Sequence, residues 1–163
     1  MKISWLPNEL IETGRLGLTH SPGVADTTRD QDLATLKKTG VQRIVCLQEA
    51  FEMRYSDMDE ETIVDREQAV NDFGMRFTHF PIPDHGVGSI SEYRELVTDV
   101  RADLEKGATV AVHCFAGLGR AGTLAACVLV ADGMNPKSAI LEVRDARPGA
   151  IQSEAQEKFI LGF

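Results

Sequence analysis

A thiol becomes a nucleophile when its surroundings favour the thiolate, and among Cys46, Cys114 and Cys127 only Cys114 has such surroundings in the sequence. The segment Thr109-Val-Ala-Val-His-Cys-Phe-Ala-Gly-Leu-Gly-Arg-Ala-Gly-Thr123 reads as an apolar strand, a glycine-containing loop after His113-Cys114, and a helix that begins near Arg120. In open α/β sheets ligands bind at the carboxyl ends of strands, where the next helix presents its N-terminus. The backbone N–H groups of Phe115, Ala116, Gly117, Leu118 and Gly119 can form a concave nest for phosphate oxygens, with the two glycines supplying the turn. Arg120 adds a planar fork able to grip two oxygens at once, and the same donors stabilise a thiolate at Cys114. A thiolate facing a bound phosphoryl group is a nucleophile. His113 is read as a residue that orients the loop through its ring nitrogens. Cys127, inside an apolar helical run, is read as a core thiol. A chance origin for His, Cys, Gly and Arg at these spacings has odds of about 4 × 10⁻⁴ in a chain of this composition.

Several elements must position that loop. Val41–Leu47, Met75–Phe80 and Thr109–His113 are short runs rich in β-branched and aromatic residues and read as strands. Arg29–Lys38, Glu60–Asn71 and Ser91–Lys106 read as helices that stop at Gly40, Gly74 and Gly107. Helices over Ala121–Ala131, Pro136–Arg144 and Ser153–Leu161 follow the third strand, the second of them capped by Asn135. The segment Ile3–Thr19 is expected to add edge strands. This alternation predicts an α/β fold, a central mostly parallel sheet of four to five strands flanked by helices, in a single domain over residues 1–163. The acidic cluster Asp57–Glu61 reads as a solvated helix start, and Arg144 and Arg147 as positive charge near a helix end.

Composition excludes several classes. A net charge of −8 and a pI near 5.0, with no basic run, disfavour nucleic acid and anionic membrane as partners. The longest apolar stretch, Leu124 to Ala131, falls far short of the ~20 residues of a membrane span. Met1-Lys2-Ile3 followed by polar residues carries no secretory signal, so a soluble, cytoplasmic protein is expected. Three widely spaced cysteines fit free thiols better than a disulfide framework.

The run HCFAGLGRAG resembles the His-Cys-x₂-Gly-x₂-Arg signature loop of the cysteine-dependent protein tyrosine and dual-specificity phosphatases. Gly149-Ala150-Ile151-Gln152, preceded by Arg144-x₂-Arg147, is most similar to the branch containing the cyclin-dependent-kinase-associated phosphatases. The resemblance implies the protein tyrosine phosphatase-like fold and a two-step hydrolysis through a phosphocysteine, with no metal or cofactor. It also implies a general acid, because an alkoxide or phenoxide leaves poorly unless it is protonated. Asp84, in Phe80-Pro-Ile-Pro-Asp-His85 and thirty residues before Cys114, is the candidate, although Asp beside Pro and Gly is also ordinary turn chemistry. Gln152 matches a glutamine that orients the water for the second step, and it equally suits a helix start before Ser153. Some relatives join an oxidised nucleophile to a cysteine on a neighbouring strand, a place that Cys46 fits. Relatives usually carry Ser or Thr after the signature arginine, where this chain has Ala121.

Relatives that act on phosphoinositides carry lysines where this loop has Phe115 and Leu118, so a phosphorylated protein or peptide is the expected partner, phosphotyrosine ahead of phosphoserine and phosphothreonine. Two other readings stay open at this level. One is a sulfur-transfer or arsenate-reducing enzyme using the same kind of anion loop; the other is a catalytically weak module that binds phosphorylated partners.

Overall fold

Strands that are apolar on both faces belong between two layers of helix. The computed structural model, which describes residues 1–11, 13–56 and 59–163, has that arrangement. Its five strands are β1 (Ser4–Trp5), β2 (Arg15–Thr19), β3 (Arg43–Cys46), β4 (Arg76–His79) and β5 (Thr109–His113), in the spatial order β1-β2-β5-β3-β4. All pairings are parallel except that of β1 with β2. Helices α1 (Arg29–Lys38) and α2 (Ile63–Asp72) cover one face through Leu33, Leu36 and Val70, against Ile44 and Ala111. Helices α3 (Ile90–Glu105), α4 (Gly119–Ala131), α5 (Pro136–Ala146) and α6 (Glu154–Leu161) cover the other, against Val45, Val110 and Val112. The switch of partner from Val110 to Ala111 to Val112 is the period-two alternation of a strand buried on both sides.

Local chemistry sets the helix boundaries. Thr28, Thr62 and Ser153 each accept from a backbone N–H three residues on in a capping box, and Asn135 caps α5 with Pro136 at its first position. Gly40, Gly74 and Gly107 stand in the left-handed conformation just past the helices they were expected to end, with φ of 88°, 68° and 83°. No helix among the described residues is long and apolar enough to cross a membrane.

Two expectations need correction. The segment Ile3–Thr19 supplies one edge strand, β1, but β2 lies inside the sheet between β1 and β5, with Leu16 and Leu18 fully buried. Of the Asp57–Glu61 cluster, Asp57 lies outside the described residues, and Asp59 and Glu60 are exposed. Glu61 is not solvated, because its carboxylate is buried between Arg29, at 2.8 Å, and the buried Arg66; the helix begins two residues later, at Ile63.

Parallel pairing brings the carboxyl ends of β2, β3, β4 and β5 to one edge. The segments that leave them, 20–28, 47–62, 80–89 and 114–118, are therefore neighbours although they are far apart in sequence.

Candidate active site

The anion loop is held from behind by its carbonyl groups. The Leu47 N–H donates to His113 O, the Ser21 N–H to Phe115 O at 2.9 Å, and both the Gly122 and Ile151 N–H groups to Leu118 O. His113 Nδ1–H donates to Cys114 O at 3.3 Å and Arg147 Nη2–H to Ala116 O at 2.9 Å. With the carbonyls engaged outward, the amide N–H groups of residues 115 to 120 have no acceptor among the described residues, as an anion nest requires. Gly117 carries the turn with φ of 71°, and a Cβ there would stand 2.0 Å from Thr19 O. Cys114 sits buried at the base of the loop, whereas Phe115 at its rim is 45% exposed.

Arg120 is only 1% exposed and is locked on one edge. Its Nη1 donates to Glu52 Oε2 at 2.6 Å and Ile82 O at 2.9 Å, and its Nη2 to Glu52 Oε1 at 2.8 Å. Burial works against the charged guanidinium, but the Glu52 hydrogen bonds, with the Cys114, Glu52 and Asp84 charges, hold its pKa above the ordinary value. On the other edge Nε has no hydrogen-bond partner among the described residues, and Nη2 lies 3.2 Å from Asp84 Oδ1. That edge matches two oxygens of a phosphoryl group. Asp84 is largely exposed, its other oxygen 3.6 Å from His85 Nε2.

Gln152 stands beside the start of α4, its Oε1 2.9 Å from where a Cβ on Gly119 would lie. Arg144 and Arg147, read in the sequence as positive charge near a helix end and as part of the family resemblance, each have a specific role in the structure. Arg144 donates to Ala150 O at 3.1 Å and Ile151 O at 2.9 Å, shaping the approach to Gln152, while Arg147 holds the anion loop.

The buried Cys114 thiol, the unengaged amide N–H groups, the Arg120 guanidinium and the Asp84 carboxylate paired with it thus belong to the segments gathered at one edge of the sheet. The model of the Swiss Army Knife protein, DSP-PTPase phosphatase domain, matches residues 23–160. The chain belongs to the dual-specificity and tyrosine phosphatase family. It is 32% identical to cyclin-dependent kinase inhibitor 3 of Rattus norvegicus over 100% of this chain and 78% of that protein. The Homo sapiens protein of the same name is 31% identical over 99% and 77%. Among solved structures, kinase associated phosphatase with its catalytic site cysteine substituted by serine superposes with a TM-score of 0.86 at 27% identity, covering 98% of this chain and 92% of that one. Tk-PTP in its active form superposes with a TM-score of 0.75 at 24% identity, a likeness of fold.

Within the family pattern Ala121 remains the departure. It is fully buried, and the nearby Thr123 hydroxyl is committed to Gly119 O at 2.9 Å. Cys46 pairs in register with His113, one residue before Cys114; burial pushes its thiol up to about 12. Cys127 is a core thiol as expected. Glu52, on the short 3₁₀ helix Ala50–Glu52, escaped sequence reasoning, because the only signal for it is indirect: a buried arginine needs a counterion.

Proposed function

We propose that the chain is a protein phosphatase that hydrolyses phosphotyrosine, and phosphoserine or phosphothreonine as further substrates, through a phosphocysteine. The observation that carries this reading is the nest of amide N–H groups with no acceptor among the described residues, closed by the Nε/Nη2 edge of Arg120, whose charge is felt at Cys114. In the first step the Cys114 thiolate attacks phosphorus, the P–O bond to the substrate breaks, and Asp84 gives its proton to the departing oxygen. In the second, water oriented by Gln152 gives a proton back to Asp84 and attacks phosphorus, releasing inorganic phosphate and the thiolate. The developing equatorial charge is met by the amide nest and Arg120, donors fixed before the reaction begins.

A protein substrate is supported by the names of the relatives, an inhibitor of a cyclin-dependent kinase and a kinase associated phosphatase. It is supported further by Phe115 and Leu118, which offer no second cation to a polyphosphorylated inositol, and by the net charge of −8. Release of inorganic phosphate from phosphotyrosine, phosphoserine and phosphothreonine peptides tests the reading. Turnover is expected on phosphotyrosine peptides, with Asp84→Ala losing most on these poor leaving groups and least on an activated aryl phosphate. Binding of the peptides without phosphate release would instead identify a binding module.

A further inference from the structure

Two residues with side chains adopt left-handed backbone next to the groups assigned to proton transfer and water orientation: His85 (φ 57°) follows Asp84, and Ile151 (φ 60°) precedes Gln152. Such dihedrals are unfavourable, most of all for a β-branched isoleucine, and persist only where surrounding bonds hold them. We propose that Ser153 and Gln156 are positioning residues that lock the Asp84 loop and the Gln152 loop into one unit, an inference that rests on the phosphatase reading above.

The lock is a set of hydrogen bonds from the first turn of α6. Ser153 Oγ–H donates to His85 O at 2.8 Å, and Gln156 Nε2–H donates to Gly86 O at 3.4 Å. Gln156 Oε1 accepts from the N–H groups of Gln152, at 2.9 Å, and Ser153, at 3.2 Å. Gln156 is fully buried, and its amide also lies against Gly119, with Nε2 3.0 Å from where a Cβ there would stand. One carboxamide thus touches the acid loop, the Gln152 loop and the first residue of α4.

Helix capping explains only part of this. The mutual bonds between Ser153 and Gln156 form a capping box. The bonds to His85 and Gly86, 68 and 70 residues away, add nothing to a cap. His85 is exposed, so water would satisfy its carbonyl equally well; what the protein bond adds is a fixed position. Beyond the buried Ile82 the loop has few other anchors, chiefly the Asp84–Arg120 contact and a local turn from Gly86 N–H to Pro83 O. Loosening the lock therefore misplaces Asp84 as acid in the first step, and both Asp84 and Gln152 in the second.

The test measures kcat/KM for aryl phosphates with a series of leaving groups and for a phosphotyrosine peptide, in Ser153→Ala, in Gln156→Leu, which keeps buried volume, and in both again with Asp84→Asn. Each substitution is expected to lose about tenfold on the peptide and less than about threefold on the most activated ester, the scale of one lost hydrogen bond acting through the acid. Neither should add a loss in the Asp84→Asn background. Ser153→Thr, which restores a hydroxyl, should return the leaving-group dependence to that of the unsubstituted chain. Equal losses across all leaving groups, or full additivity with Asp84→Asn, overturn the lock. Should Gln156→Leu fail to fold, the partly exposed Ser153 carries the test alone. Absence of turnover in the unsubstituted chain would sink the phosphatase reading itself, a result distinct from turnover with uniform losses.

Discussion

Glu52 lies along the outer edge of Arg120, one carboxylate oxygen on each terminal nitrogen at 2.6 and 2.8 Å, and this pairing decides which edge of the guanidinium the phosphoryl group meets. Glu52→Gln keeps the shape and removes the charge, leaving a buried cation without its counterion. The expected result is a loss of about 3–5 kcal/mol in stability, the usual cost of breaking a buried pair from one side. Thermal melts check the stability, and inhibition by inorganic phosphate checks the site, where affinity should fall. An unchanged melting temperature together with unchanged phosphate affinity would show that Glu52 does not set the guanidinium.

Ala121 removes a hydroxyl from beside the sulfur, and Thr123 does not replace it, since its hydroxyl already donates to Gly119 O. A missing donor to a charged sulfur is worth about 1.5–3 kcal/mol, or roughly ten- to a hundredfold in rate. The second step bears the loss more heavily, because there the thiolate is the leaving group. Stopped-flow assay of an activated aryl phosphate should show a burst, and Ala121→Ser should raise kcat. No burst and no gain would place the slow step elsewhere.

The two loop glycines are distinguishable. Gly117 combines φ of 71° with a Thr19 carbonyl 2.0 Å from any Cβ, so Gly117→Ala must push backbone against backbone and abolish phosphate binding. At Gly119 the atom closest to a Cβ is the Oε1 of Gln152, at 2.9 Å, the end of a side chain that can yield where a backbone carbonyl cannot. Gly119→Ala should keep the fold and the burst while slowing steady-state turnover, because the displaced amide is the one that orients water. Equal effects of the two substitutions on phosphate binding would contradict this distinction.

His113 is fully buried, and that burial, reinforced by the charge of Arg66, brings its pKa down to about 3. Between the ordinary 6.5 and about 3 the unfolded chain carries a proton on this ring and the folded chain does not, so acidification across that window removes stability and pH above it has no such effect. His113→Asn, whose side-chain N–H can still donate to Cys114 O, should flatten the pH dependence of Tm between about pH 4 and 6.5. An unaltered slope would show that other groups govern acid unfolding.

The anion loop was legible in the sequence because Cys114, its glycines and Arg120 are contiguous and each residue type has one chemical reason to be there. Three of the strands and the helix stops were legible for the same local reason. β2 was harder to read, because Gly17 weakens a five-residue strand; the structure explains it, since the Trp5 and Ile3 side chains lie where a Cβ would be. Glu52, Arg147 and Gln156 reach their partners across 68, 31 and 70 residues, so their roles exist only after parallel pairing has gathered the carboxyl ends of the strands. Glu61 was misread for the same reason: an acidic run looks solvated until a buried Arg66 claims one member of it.

The most direct test of covalent catalysis is the turnover of Cys114→Ser on a phosphotyrosine peptide, measured with inorganic phosphate as a competing ligand. A serine hydroxyl cannot supply the thiolate, while the amide nest and Arg120 are left in place. Turnover is expected to fall below about 1% of that of the unsubstituted chain, a loss of more than about 3 kcal/mol in transition-state stabilisation, with phosphate affinity retained. Residual turnover above that level in the serine variant would contradict attack by Cys114.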